Sequence, residues 1–146
     1  MFSTSIDQAS IAVIGDFIKK HAYDSETPLA ERVDLDQYIK KIFLLGHSFE
    51  AWDGDKLIGL IVAYINDTQN QAAFITYVRI APEYRGKGIA SGLLTECLES
   101  IKWNFGFTSV SLEVARNNAP AISLYGKFGF STFRESKSSF FMKKDL

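Results

Sequence analysis

The chain has 146 residues, of which 47% are hydrophobic and 23% are charged, and its formal net charge at pH 7 is −1. This length and composition predict one globular domain over residues 1–146 and exclude a disordered chain. The near-neutral charge gives no electrostatic reason to expect a nucleic-acid partner.

The sequence also indicates where the protein is located, whether it binds a metal and what its cysteine does. The first residues lack the basic segment and long apolar run of a signal peptide. No stretch of the sequence approaches the roughly twenty apolar residues of a membrane span. We therefore expect a cytoplasmic protein with no membrane partner. The one cysteine, Cys97, lies among apolar helix positions and is predicted to be a core residue. No side chains have metal-ligand spacing, so we expect no metal.

Helical periodicity dominates the first third of the chain. Apolar residues recur near a helical period over residues 6–18, and a second helix is predicted over residues 34–44. A polar break with a proline separates the two at residues 23–29. The acidic residues between 24 and 36 would suit a cationic ligand, although a run of charges is more often a solvated face.

The rest of the chain alternates between strand and helix patterns. The predicted strands lie at residues 48–52, 56–65, 71–80, 108–114, 130–134 and 139–143. One predicted helix begins after residue 88, and a second spans residues 119–128. Asp53-Gly-Asp between the first two strands is a hairpin signal. The pattern predicts a mixed α/β (α+β) fold with a largely antiparallel sheet.

A glycine-rich turn, Arg85-Gly-Lys-Gly-Ile-Ala90, lies between the third strand and the central helix. Glycines permit a tight turn that brings backbone N–H groups close to a ligand. The first turn of the following helix offers free N–H donors and the positive end of the helix dipole. This arrangement therefore predicts a site for phosphate or pyrophosphate.

The spacing within this turn excludes two common phosphate-binding loops. A Walker loop requires Ser or Thr after Gly-Lys, and here Gly88 follows Lys87. A dinucleotide fingerprint requires a third Gly or Ala where this chain has Ser91. The pattern Arg-x-x-Gly-x-Ala, formed by Arg85, Gly88 and Ala90, instead resembles the acyl-CoA pyrophosphate loop of the GCN5-related N-acetyltransferases (GNAT family).

A second segment resembles the other half of the same family's core. Its landmarks, in the family's order and separation, are Leu112-Glu-Val, Asn118, Leu124-Tyr and Gly129-Phe. Ala115 departs from the family, because an Arg often follows Leu-Glu-Val there. Pro120 also departs, but its missing N–H is tolerated in a first helical turn. The resemblance implies the GNAT fold, whose usual first strand has only residues 1–5 available and is therefore short or absent.

The resemblance implies acetyl-CoA as co-substrate. In this family the strand before the loop bulges and separates from the next strand, and the pantetheine arm pairs with the exposed backbone. The implied cofactor-binding residues are Val78, Ile80, Arg85, Gly86, Lys87, Gly88, Ile89, Ala90, Asn118 and Tyr125. The charges of Arg85 and Lys87 are alternatively only solvated, and Asn118 is alternatively only a helix cap.

Two catalytic residues are implied by position. Tyr125 matches the family's usual general acid, although a core aromatic is the alternative. Glu113 matches a glutamate that some relatives use as general base when they acetylate protein N-termini. The alternatives for the base are Glu50, the hydroxyl of Tyr77, or water, because a shift of one residue would turn Glu113 to the other face of its strand.

The resemblance implies an N-acetyltransferase that moves an acetyl group from acetyl-CoA to a primary amine. The acceptor is a small amine, an amino sugar or a protein N-terminus, and the enzyme is a monomer or homodimer. The alternatives are a non-catalytic acyl-CoA-binding or sensing module and a structural subunit of an acetyltransferase complex. Consumption of the thioester in the presence of amines would separate these alternatives.

Overall fold

The computed structural model describes residues 2–23 and 29–146. The strands are β1 (Phe2–Ile6), β2 (His47–Asp53), β3 (Lys56–Asp67), β4 (Ala72–Ile80), β5 (Ser109–Ala115), β6 (Ser131–Glu135) and β7 (Ser139–Asp145). The helices are α1 (Ile11–His21), α2 (Leu29–Arg32), α3 (Leu35–Leu45), α4 (Ile89–Glu99) and α5 (Ala119–Lys127). A short 3-10 turn spans Pro82–Tyr84, and a π-helical turn, Ser100–Asn104, extends α4.

The seven strands form one mixed sheet in the order β1-β2-β3-β4-β5-β7-β6. The pair β4–β5 is parallel and every other neighbouring pair is antiparallel. The architecture is the mixed α/β fold with a largely antiparallel sheet that the sequence predicts. The parallel pair lies at the centre of the sheet, directly before and after α4 in the chain.

Helices pack on both faces of the sheet. We call first face the side on which α1 and α3 pack, where Phe17, Ile18 and Ile42 meet Leu60 and Val62. We call second face the side on which α4 and α5 pack; its core comprises Leu93, Leu94, Cys97, Phe49, Ile61, Val110, Leu112 and Tyr125. None of the helices among the described residues is long and apolar enough to cross a membrane.

Cys97 lies in the core beneath α4, as its apolar setting predicts. Its side chain is fully buried, and burial raises the pKa of the thiol to about 12. A thiol with so little thiolate at neutral pH is a packing residue, since the thiolate is the reactive form.

The start of the chain differs from the sequence prediction. Ile6, predicted within a helical stretch, is the last residue of β1. The first strand, which was expected to be short or absent, is therefore present with five residues. The sequence gives little strand signal because β1 is an edge strand whose residues are mostly exposed. Three further elements were not predicted: the four-residue α2, the 3-10 turn Pro82–Tyr84 and the π-helical turn after α4.

A buried carboxylate fastens β1 and the start of α1 to the sheet. Glu50 of β2 is fully buried. It accepts hydrogen bonds from the hydroxyls of Ser5 (2.5 Å) and Ser48 (2.6 Å) and from the backbone N–H groups of Gln8 (3.1 Å) and Ala9 (2.8 Å). Four donors satisfy the charge, as a buried carboxylate requires. Glu50 is therefore a structural residue on β2, three strands from β5.

Candidate active site

The glycine-rich turn has the backbone that its sequence predicts. Gly86 and Gly88 adopt left-handed φ angles of 77° and 78°. A Cβ atom built on either glycine meets nothing within 4 Å. Glycine is therefore required here for conformation and not for space. The open space above both residues leaves room for a ligand.

The start of α4 lacks the side-chain cap that the other long helices have. Ser10, Asp34 and Asn118 each accept a hydrogen bond from the first turn of α1, α3 and α5. Gly88 has no side chain to do so at α4. The first N–H groups of α4 are thus available to an anion, beside the exposed side chains of Arg85 and Lys87.

A gap opens between the two parallel strands. β4 pairs with β5 only from Ala72–Ile75 to Ser109–Leu112. The pairing of β4 with β3 shifts by one residue between Ile75 and Tyr77, which leaves Thr76 as a bulge. Beyond the bulge, β4 and β5 separate toward the glycine-rich turn. This is the separation that the family resemblance implies.

The backbone of Val78 and Ile80 faces this gap. The N–H of Ala81 donates to the carbonyl of Ile58 at 2.8 Å, and hydrogen-bonded pairs alternate along an antiparallel ladder. Arg79 and Tyr77 therefore bond with β3, while the N–H and C=O groups of Val78 and Ile80 point away from it. Those groups are available to a chain inserted as an added strand.

Two tyrosines of the first face lie beside the bulge, and Tyr38 is bonded to it. The Tyr38 hydroxyl of α3 donates to the carbonyl of Thr76 at 3.1 Å and lies 3.4 Å from its hydroxyl. Burial raises the pKa of Tyr64, and the Thr76 side chain opposes that rise, which places Tyr64 of β3 against the same residue. Sequence reasoning missed both tyrosines, since Tyr38 reads only as an apolar helix position.

Tyr38→Phe tests whether this contact positions the bulge. The change keeps the ring and removes one hydrogen bond, worth about 0.5–1.5 kcal/mol. We expect kcat to fall about five- to tenfold, because the bulge fixes where Val78 and Ile80 point. Steady-state kinetics and thermal melting measure the effect, with Tyr23→Phe, an exposed tyrosine, as the control. A wild-type kcat in the Tyr38 variant would contradict the role.

Tyr125 lies on α5 with its ring in the core of the second face. It is 5% exposed, and its ring centroid is 5.8 Å from that of Phe130. Burial raises the pKa of the phenol to about 12. No hydrogen bond from its hydroxyl to any described residue is found. A phenol held in this state remains protonated at neutral pH and is able to donate.

Asn118 caps α5 from the loop that follows β5. Its side-chain oxygen accepts from the N–H of Ala121 at 3.3 Å, and its side chain is exposed. The capping function is thus present. The amide nitrogen is left for other partners, and a bond to the pantetheine arm stays a prediction.

Glu113 points to the first face. Val110, Leu112 and Val114 of β5 pack in the core of the second face, so the residues between them face the opposite side. Glu113 is exposed there, and Tyr77 of β4 packs on the same face. The structure therefore leaves Glu113, Tyr77 or water as the base, whereas Glu50 is engaged in β2.

The acidic residues before α3 act within the fold where they are described. Asp34 caps α3 by accepting from the N–H of Gln37 at 3.1 Å, and Asp36 forms an ion pair with Lys19 at 2.9 Å. These two carboxylates therefore have partners within the protein and give little support to the predicted attraction for a cationic ligand. Asp24, Glu26 and the side chain of Glu31 lie outside the described residues.

The predicted residues thus fall into three groups around the gap. The loop Arg85–Ala90 lies at its open end, and the backbone of Val78 and Ile80 lines one side. Asn118 caps the helix that follows β5, and Tyr125 lies on that helix. Among the described residues, no group of three or more His, Cys, Asp or Glu side chains is placed to hold a metal ion.

The sequence is similar to those of known proteins. The sequence matches the Acetyltransferase (GNAT) family over residues 16–130. N-alpha-acetyltransferase 30 of Schizosaccharomyces pombe is 33% identical over 89 residues, covering 60% of this chain and 59% of that protein. Spermidine N(1)-acetyltransferase of Escherichia coli is 33% identical over 95 residues, covering 62% of this chain and 47% of that protein.

A solved structure gives the same fold. The crystal structure of PaiA N-acetyltransferase from Thermoplasma acidophilum in complex with coenzyme A matches with a TM-score of 0.74 at 23% identity and covers 99% of both chains. The chain spans about half the length of the curated relatives it matches. Since the family match extends over most of the sequence, the chain belongs to the GNAT acetyltransferase family.

Proposed function

We propose that the protein transfers an acetyl group from acetyl-CoA to a primary amine. The observation that carries this proposal is the gap between β4 and β5, which runs from the uncapped start of α4 to the bulge at Thr76. Pyrophosphate at the glycine-rich turn and pantetheine along the free backbone of β4 would bring the thioester to that bulge.

The transfer needs four functions that these residues can supply. Holding both reactants in one geometry supplies much of the acceleration. A backbone N–H near Ile80 would stabilise the negative charge that develops on the thioester oxygen. The amine nitrogen attacks the carbonyl carbon, the C–N bond forms and the C–S bond breaks. The sulfur then receives the Tyr125 proton, while the amine loses its own proton to Glu113, to Tyr77 or to water.

Glu113→Gln tests the route of the amine proton. The amide is nearly isosteric, and Glu113 is exposed, so packing should not change. We expect kcat to fall about tenfold, because an exposed carboxylate acts through water that can partly replace it. A base works only when deprotonated, so kcat of the wild type falls as the pH is lowered. This acidic limb of the pH–rate profile should change in the variant. An intact pH–rate profile would move the role to Tyr77 or to water, and Tyr77→Phe is the matched variant.

The proposed activity is tested by release of the coenzyme A thiol with a panel of amines. Suitable acceptors are spermidine, glucosamine, free amino acids and a peptide with a free N-terminus. We expect thiol release that depends on one of these amines and yields its acetylated product by mass spectrometry. Binding of acetyl-CoA without turnover would instead support the acyl-CoA-binding module, which the acetyltransferase relatives do not favour.

A further inference from the structure

A cavity of about 410 Å³ lies on the first face, next to the closed end of the gap. Four elements line it: α3, β3, β4 and β5. The lining includes Lys41, Tyr64, Asp67, Phe74 and Ser111. Phe74 and Ser111 are partners in the short paired part of β4 and β5. The cavity therefore begins where the gap ends.

One side chain connects this cavity to the bulge. Tyr64 lines the cavity and also lies against Thr76, whose side chain affects its pKa. A molecule in the cavity is thus one residue away from the position that we propose for the thioester. The helices α4 and α5 pack on the second face of the sheet, so an amine would approach from the first face.

The walls of the cavity have a defined chemistry. Tyr64 and Phe74 are cross-strand partners and form an aromatic floor. The Lys41 ammonium lies 5.7 Å from the centroid of the Tyr64 ring and forms no ion pair with a described residue. The Asp67 carboxylate accepts from the backbone and side-chain N–H groups of Asn70 at 3.0–3.3 Å. The cavity therefore has one positive and one negative side chain. The Asp67 carboxylate already accepts hydrogen bonds from Asn70, whereas the Lys41 ammonium has no ion-pair partner among the described residues.

We propose that this cavity binds the acceptor, and that the acceptor is a primary amine carrying an anionic group and an apolar body, as in a free amino acid. The inference rests on the proposed acetyl transfer. The amine would lie toward Thr76, the apolar body on Tyr64 and Phe74, and the anion at Lys41. A polyamine has no anion to pair with Lys41.

The second large cavity of the described residues provides a contrast. It has a volume of about 540 Å³ and lies between β1 and the end of α4, with Glu96 and Glu99 in its lining. β1 is at the far edge of the sheet, three strands from β4. An acceptor bound there would not reach the gap, so size alone does not identify the acceptor site.

Matched probes and variants test the inference. Leucine and leucinamide differ at the carboxylate, and the amide has the less basic, more reactive amine. We expect wild-type kcat/KM to be about tenfold higher for leucine, the order of a charge-assisted hydrogen bond. Lys41→Met should abolish this preference and Lys41→Glu should reverse it, with the KM for acetyl-CoA unchanged. Lys40→Glu, at the next, exposed position of α3, is the control with the same change of charge.

A binding measurement separates this inference from the proposed function. Leucine is titrated calorimetrically into protein saturated with coenzyme A, where no transfer occurs. Weaker binding in Lys41→Glu but not in Lys40→Glu supports the cavity even if no amine is acetylated. The inference is overturned if both variants bind leucine as the wild type does. It is also overturned if leucinamide, spermidine or the amidated peptide Leu-Ala-Ala is the better acceptor in the wild type.

Discussion

Tyr125→Phe is expected to lower turnover by about a hundred- to ten-thousand-fold, the range typical of general acid–base catalysis, with little change in affinity for acetyl-CoA. The ring and its contact with Phe130 are kept, and no hydrogen bond to a described residue is lost. The melting temperature should therefore stay close to that of the wild type. The measurements are kcat under conditions where chemistry limits the rate, and calorimetric titration with acetyl-CoA.

The pH dependence gives this prediction a second test. Burial raises the pKa of Tyr125 to about 12, and the donor must be protonated to act. Its protonated form therefore persists as pH rises through 10 and is lost only as pH approaches 12. Wild-type kcat should show no alkaline decline below about pH 10. Full turnover in the phenylalanine variant would show that Tyr125 serves only in packing.

Gly88→Asp is expected to weaken acetyl-CoA binding by about a hundredfold or more. The new carboxylate would lie at the start of α4, where we propose the pyrophosphate binds, and apposed like charges cost several kcal/mol. A side chain at Gly88 meets no atom of the protein within 4 Å, so a clash with the protein does not explain a loss. Calorimetry with acetyl-CoA on both proteins measures the change.

Gly88→Asn is the matched control for this prediction. Asparagine has nearly the same shape as aspartate, carries no charge, and tolerates a left-handed φ better than most residues. The difference between the Asp and Asn variants therefore isolates the charge, and added salt should reduce it. Equal affinities in the two variants would locate the pyrophosphate elsewhere.

The sequence predicts well those features that depend on local rules. The start of α3 follows from Asp34, a side chain that caps its own helix. The hairpin between β2 and β3 follows from Gly54, whose φ is 62°. The left-handed glycines of the glycine-rich turn, Gly86 and Gly88, are likewise predictable from the sequence. Each of these features is set by residues within a few positions of one another.

Features that depend on distant residues were harder to predict. β1 is held by Glu50, more than forty positions away, and has little apolar alternation of its own. The Thr76 bulge is held by Tyr38 across 38 positions, and neither residue signals this contact. Strand alternation left the direction of Glu113 open, and only the packing of its neighbours decides it. Local patterns therefore located the site, while tertiary contacts decide how its groups point.

The burial of Cys97 also allows unfolding to be followed through the reactivity of its thiol. Each acetyl transfer releases one coenzyme A thiol, which an aromatic disulfide reagent detects by colour. The fully buried Cys97 thiol, with its pKa of about 12, will not compete for that reagent while the protein is folded. Unfolding exposes the thiol and returns its pKa to about 8.5. In protein without acetyl-CoA, the same reagent therefore measures the fraction of unfolded molecules. A single thiol assay can then be used to compare both the stability and the activity of the variants.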